Sequence, residues 1–168
     1  MVGLIRRTLL TGGIAAAAGV ALWRWRGPGG EDLAYGAHPR QGLDITYPRG
    51  LGAAPVLVAF HDGDFAGGDK ADFAVWPEIL AAGVAVVRVN TRLSGDATWP
   101  AQAEDALAAI VFLQRQGAEL GLGPARLVLM GAGAGADLAV STAISLVEGA
   151  STPRGGTRLY CPMDVSTL

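Results

Sequence analysis

The chain has 168 residues, of which 51% are hydrophobic and 17% charged, with a formal net charge of −2. Setting aside an N-terminal stretch that reads as an export segment leaves about 140 residues, enough for one domain with a real core and too few for two. The composition excludes a disordered chain. No basic cluster follows the N-terminal segment, which argues against nucleic acid as a partner, and a lone cysteine, Cys161, excludes an intramolecular disulfide and a cysteine metal cluster.

Arg6-Arg7 precedes an uncharged, Ala- and Gly-rich run from Thr8 to Trp23, with Arg24 and Arg26 behind it. Paired arginines before a weakly apolar run resemble a twin-arginine export signal. Three readings of residues 1–26 stay open. The export signal is favoured over an uncleaved anchor through residues 8–23, with Trp23 and Trp25 at the interface, and over an ordinary helix. Gly27 to Gly30 reads as a linker, and the folded domain is expected over 31–168.

Strand character appears at Leu43–Tyr47 and in the apolar run Pro55–Phe60, too short and too β-branched for a helix. Ala71–Ala82 reads as a helix with Pro77 at its first turn or at a kink. Gly83 ends it, and Val84–Val89 is a second buried strand. Pro100–Leu120 has the spacing of a long amphipathic helix, closed by Gly121 and Gly123-Pro124. A third buried strand is expected at Arg126–Met130 and a helix at Ala136–Val147. A loop at 151–156 and one more strand at 158–161 complete the pattern. Alternating strands and helices predict an α/β fold, a mostly parallel sheet with helices on both faces.

Several short segments, in order, resemble the α/β-hydrolase superfamily in its small carboxylesterase branch, which includes hormone-sensitive-lipase-like and kynurenine-formamidase-like enzymes. Tyr35-Gly36, Pro39-Arg40-Gln41 and Leu43-Asp44 are similar to its opening strands. His61-Asp62-Gly63-Asp64-Phe65 stands at the His-Gly-Gly-Gly-Trp oxyanion loop, followed by Gly68-Asp69-Lys70. Asn90-Thr91-Arg92-Leu93, Trp99-Pro100 and Glu104-Asp105 match the next strand end and helix. Leu129 to Gly135 occupies the nucleophile elbow, and Cys161-Pro162-Met163-Asp164 a later loop. The resemblance covers roughly residues 31–168 and implies the N-terminal, incomplete portion of such a fold, with the elbow between 130 and 136.

That family's chemistry needs a serine on a tight strand-to-helix turn, in the pattern Gly-x-Ser-x-Gly, beside a histidine and an acid. Here Gly131 and Gly135 flank Gly133, so the apex carries no hydroxyl, and no histidine follows His61. The resemblance also implies an oxyanion hole from backbone N–H groups around His61, Asp62, Gly63, Asp64 and Ala134, where one donor is worth about 3 kcal/mol. Asp62 and Asp64 in place of glycines bring two carboxylates toward developing negative charge and make glycine-only conformations costly. His61 in its family role shapes the loop and is no catalytic base. The expectation is an exported, esterase-like chain without functional catalytic residues: a truncated product or a pseudo-enzyme.

A rival reading comes from Gly131, Gly133 and Ala136, which fit the dinucleotide fingerprint Gly-x-Gly-x-x-(Gly/Ala) after a strand and before a helix. Against it, two strand–helix units precede the motif, and neither Glu148 nor Asp164 sits where the ribose-binding acid belongs. Asp62, Asp64, Asp69 and Asp72 resemble a calcium loop only loosely, with Phe73 where the bidentate glutamate should stand. No metal and no cofactor are expected. Cys161 lacks a histidine partner, Asp164 has no histidine to orient, and Trp76 and Trp99 read as packing residues. The partner classes implied are a small ester-like ligand and a second chain associating through an exposed edge of the sheet.

Overall fold

The computed structural model describes residues 31–50 and 52–149. Strands β1 (Glu31–Ala34), β2 (Gly42–Thr46), β3 (Ala54–Phe60), β4 (Ala85–Val89) and β5 (Leu122–Gly131) form one sheet in the order β1-β2-β4-β3-β5. Helices α1 (Pro77–Ala81), α2 (Ala101–Gln116) and α3 (Ala134–Gly149) connect or follow the parallel strands.

The burial pattern explains who pairs with whom. In β2, buried Leu43 and Ile45 alternate with the part-exposed Asp44, the signature of a strand covered on one face. It runs antiparallel to both β1 and β4. In β3, Val56 to Phe60 are all buried, so neither face can meet water, and this strand lies parallel between β4 and β5. The sheet is therefore mixed: β1 pairs antiparallel with β2, as its short link without a crossover helix allows, β2 pairs antiparallel with β4, and the pairings of β3 with β4 and β5 are parallel.

Val56, Val58 and Phe60, with Ala85, Val87 and Val89 and the β5 residues Leu127 and Leu129, face a core shared with Ala106, Ala109, Ile110 and Leu113 of α2 and Leu138 and Ala139 of α3. The chain steps from β3 to β4 in one direction, then crosses back past β3 to reach β5. Right-handed crossovers in opposite directions put α1 on the face opposite α2. They also leave a crevice where the connections diverge, at the carboxyl ends of β3 and β5.

Three expected elements differ in extent by more than two residues at an end. Ala71–Ala82 is not one helix but a 3-10 turn at Lys70–Asp72, an extended stretch and the short α1 beginning at Pro77. Proline offers no N–H to a preceding turn and pushes the residue before it to extended backbone, which Trp76 adopts at φ −81, ψ 126. Helix α2 stops at Gln116, capped by Gly117, four residues before the expected end at Leu120. Strand β5 starts earlier than Arg126, since Leu122 already pairs with Ala54 before the register shifts. Strand β1 has no counterpart among the expected elements. The export segment, the linker, the loop at 151–156, the strand at 158–161, Cys161 and Asp164 lie outside the described residues. Among the described residues, no helix is long and apolar enough to cross a membrane.

Candidate active site

The loop after β3 and the turn between β5 and α3 meet at the crevice. The turn is tight for reasons its glycines make explicit. A Cβ on Gly135 would fall 2.5 Å from the His61 carbonyl oxygen and closer still to that of Phe60, so α3 can approach the end of β3 only with glycine there. Gly131 likewise faces the Gly135 carbonyl at a distance that leaves no room for a side chain. Gly133, at the apex, has a left-handed φ of 49. Gly131, Gly133 and Gly135 are thus accounted for by the strand-turn-helix packing.

Above the apex sits a carboxylate. Asp62 Oδ1 accepts the backbone N–H of Gly63 at 2.7 Å and that of Ala134 at 3.2 Å. One donor comes from the loop after β3 and the other from the first turn of α3, and they converge on one oxygen. A helix N-terminus favours such a negative charge. Asp64, expected beside it, is exposed, and it shares positive φ with Phe65, at 51 and 60. A pyrophosphate at Gly131, Gly133 and Ala136 would compete with Asp62 for the Ala134 N–H.

His61 is tied up at both ring nitrogens. Its Nδ1 lies 2.6 Å from the Asp62 carbonyl oxygen, which only accepts, so the proton is on Nδ1. Nε2 then faces Arg40 Nη2 at 3.4 Å as the acceptor. Arg40 also donates to the Thr91 carbonyl and to the Gly68 carbonyl, both at 2.9 Å. His61 therefore joins the loop to a clasp.

The scattered segments of the family resemblance form one polar network around this crevice. Asn90 Oδ1 accepts the Lys70 N–H at 2.6 Å and its amide donates to Asp69 Oδ2 at 2.8 Å. Burial pushes the Asp69 carboxyl up, but the Ala71 N–H, the Asn90 amide and the nearby cations outweigh it and hold the group below its ordinary value. Asp69 and Asp72 cap the 3-10 turn reciprocally. Lys70 Nζ reaches Asp32 at 2.8 Å and Asp44 at 2.5 Å, while Arg88, paired with Asp44 in strand register, holds its second oxygen at 3.1 Å. Burial lowers the Lys70 ammonium, and the two carboxylates more than reverse this. The Tyr35 hydroxyl donates to the Asn90 carbonyl at 2.6 Å, and burial first, then the Asp105 charge, pushes the phenol far above its usual range. Phe65 meets Trp99 edge-on at 5.9 Å and Phe73 meets Trp76 at 5.4 Å, so both tryptophans pack against loop aromatics.

Asp62, Asp69 and Asp72 are thus each committed to backbone N–H groups, and among the described residues no acidic, histidine or cysteine cluster converges in the manner of a metal site. The seating of Asp62 over Ala134 is the feature sequence reasoning missed. Its signal was present: a carboxylate in the oxyanion loop together with a bare glycine at the apex.

The family model for BD-FAE, an α/β-hydrolase-type esterase domain, matches residues 43–151, more than half of the chain. The chain belongs to this family. Solved structures agree. A bacterial heroin esterase is 28% identical with a TM-score of 0.61, the match covering 72% of this chain and 40% of that one. A truncated carbohydrate esterase from gut microbiota is 26% identical at a TM-score of 0.59, covering 64% and 40%. A bifunctional GH43-CE protein of Bacteroides eggerthii is 32% identical at a TM-score of 0.60, covering 64% of this chain and 16% of that one. The chain thus spans well under half the length of each of these structures. No curated protein matches it. The five-stranded mixed sheet with its helices is an α/β-hydrolase-like fold, as expected from the sequence.

Proposed function

We propose that this member of the esterase family is exported and does not hydrolyse esters at its elbow. One observation carries the second part: the apex residue is Gly133, and the space over it holds the Asp62 carboxylate instead of a hydroxyl. Attack on a carbonyl needs a nucleophile at that point and empty N–H donors beside it. Here the first is missing and the second are taken by an anion. Such a chain retains the hydrolase crevice as a place for a small ester-like ligand, without turnover. Esterase relatives support that ligand class. Export rests on Arg6-Arg7 and the uncharged run behind them.

The test is release of p-nitrophenol from a short-chain ester by the full chain, on material shown to be folded by circular dichroism. No turnover above buffer is expected. Turnover that copurifies with the protein and survives Cys161→Ala would overturn the proposal. Export is tested by fusing residues 1–30 to a reporter: secretion that stops on changing Arg6-Arg7 to Lys-Lys is expected, and cytoplasmic retention of the unaltered fusion would refute it. Among the described residues β5 pairs on one side only, with β3. Association through that edge would appear in sedimentation as a concentration-dependent increase in mass.

A further inference from the structure

We propose that Asp62 is a built-in stopper, an autoinhibitory contact whose seat exists only because residue 133 is glycine. Gly63 and Ala134 point their N–H groups at one place from two different elements, and Asp62 Oδ1 fills it. A Cβ at position 133 would lie 2.7 Å from Asp62 Oδ2 and closer still to Cγ and Oδ1. The seated carboxylate and any side chain at 133 therefore exclude each other. The colliding group is the end of a short, exposed side chain, so it yields rather than the backbone, and yielding means leaving both N–H donors. Two departures from the elbow pattern are thereby coupled: loss of the side chain at 133 lets the carboxylate in, and the carboxylate closes the hole to an anion from outside. A serine at 133 would likewise displace Asp62 from both N–H groups, because the two side chains contend for one volume.

The inference rests on the reading that residue 133 supplies no nucleophile, but its test is separate from ester turnover. In 15N-labelled full chain, the amide signals of Gly63 and Ala134 are followed in the wild type, in Asp62→Ala and in Gly133→Ala, with acetate as the probe. Asp62 is exposed and an alanine tolerates φ near 49 at modest cost, so both variants keep the fold. Both amides are expected to move in each variant without acetate, since each loses its acceptor. Acetate is then expected to shift them saturably in Asp62→Ala, at concentrations about tenfold lower than any response of the wild type. Amides that stay in place on Asp62→Ala, or a wild type that takes acetate as readily as the variant, would overturn the stopper. Ester turnover by the wild type would instead overturn the proposed lack of catalysis and leave the amide result standing.

Discussion

Arg92 holds Asp105 from main chain and side chain at once: its backbone N–H donates to Oδ2 at 2.8 Å, its Nε to the same oxygen at 2.9 Å and its Nη2 to Oδ1 at 2.7 Å. Gln41 adds a fourth donor at 2.7 Å. The carboxylate is buried to 1% exposure, in the first half of α2, while Arg92 sits just past the end of β4. This pair fixes where the chain turns from sheet to helix.

Removing one partner of a buried pair leaves the other charge without its compensation. Arg92→Ala is accordingly expected to lower stability by about 3 kcal/mol, read from the midpoint of urea unfolding. A loss under about 1 kcal/mol would mean that Gln41 and the backbone suffice to hold Asp105.

The same contact sets an acid limit. Burial pushes the Asp105 carboxyl up, but the Arg92 side chain, its N–H and Gln41 outweigh this and hold the group below the ordinary carboxylate range. Its pKa is lower folded than unfolded, so the unfolded chain takes up the proton first. The stabilisation is present above the unfolded value, near pH 4, and is lost as pH falls through the lower folded value. Asp69 contributes with the same sign. Melting temperature against pH should therefore drop more steeply in acid for the wild type than for Asp105→Asn, and the two curves should approach each other.

Asn90 serves as acceptor and donor at once, which an ionised carboxylate cannot do. Asn90→Ala is expected to cost about 2 kcal/mol and to speed hydrogen exchange at the Lys70 amide. Asn90→Asp keeps the acceptor but sets a second carboxylate against Asp69 Oδ2. It should be less stable at neutral pH than in mild acid, a reversal that the wild type lacks.

Gly135→Ala meets backbone atoms rather than a movable side chain. It is expected to cost about 3 kcal/mol by forcing α3 away from β3, measured by chemical denaturation. Gly133→Ala, whose Cβ has the movable Asp62 carboxylate as its nearest neighbour, should cost clearly less.

Much of the architecture was legible one segment at a time. The runs Pro55–Phe60 and Val84–Val89 are too apolar to be anything but buried strands. For α2 the sequence points to Leu107, Ile110, Val111 and Leu113 as one face, of which Ile110 and Leu113 are in the core while Ala106 and Ala109 take the places of the part-exposed Leu107 and Val111. The alternation Leu43, Asp44, Ile45 identified a strand but not its direction. Its antiparallel register is set by its partner β4, which local sequence does not name. The stretch after Lys70 misled because Pro77 is as compatible with a kink as with a first turn, and the tie between Asn90 and Asp69-Lys70 spans residues far apart in the chain.

The sequence by itself determined that the elbow's apex carries no nucleophilic oxygen: a glycine at 133 has no side chain in any fold. It also determined the strand-turn-helix that surrounds it, since Gly131 and Gly135 bracket an apolar run and a helical one. The tertiary structure alone decided what occupies the apex. Asp62 lies 72 positions before Ala134, and its carboxylate meets that N–H because β3 and β5 are parallel neighbours ending at the same level of the sheet. Charge attraction between a carboxylate and a helix N-terminus falls off within a turn, so only strand register could bring the two together.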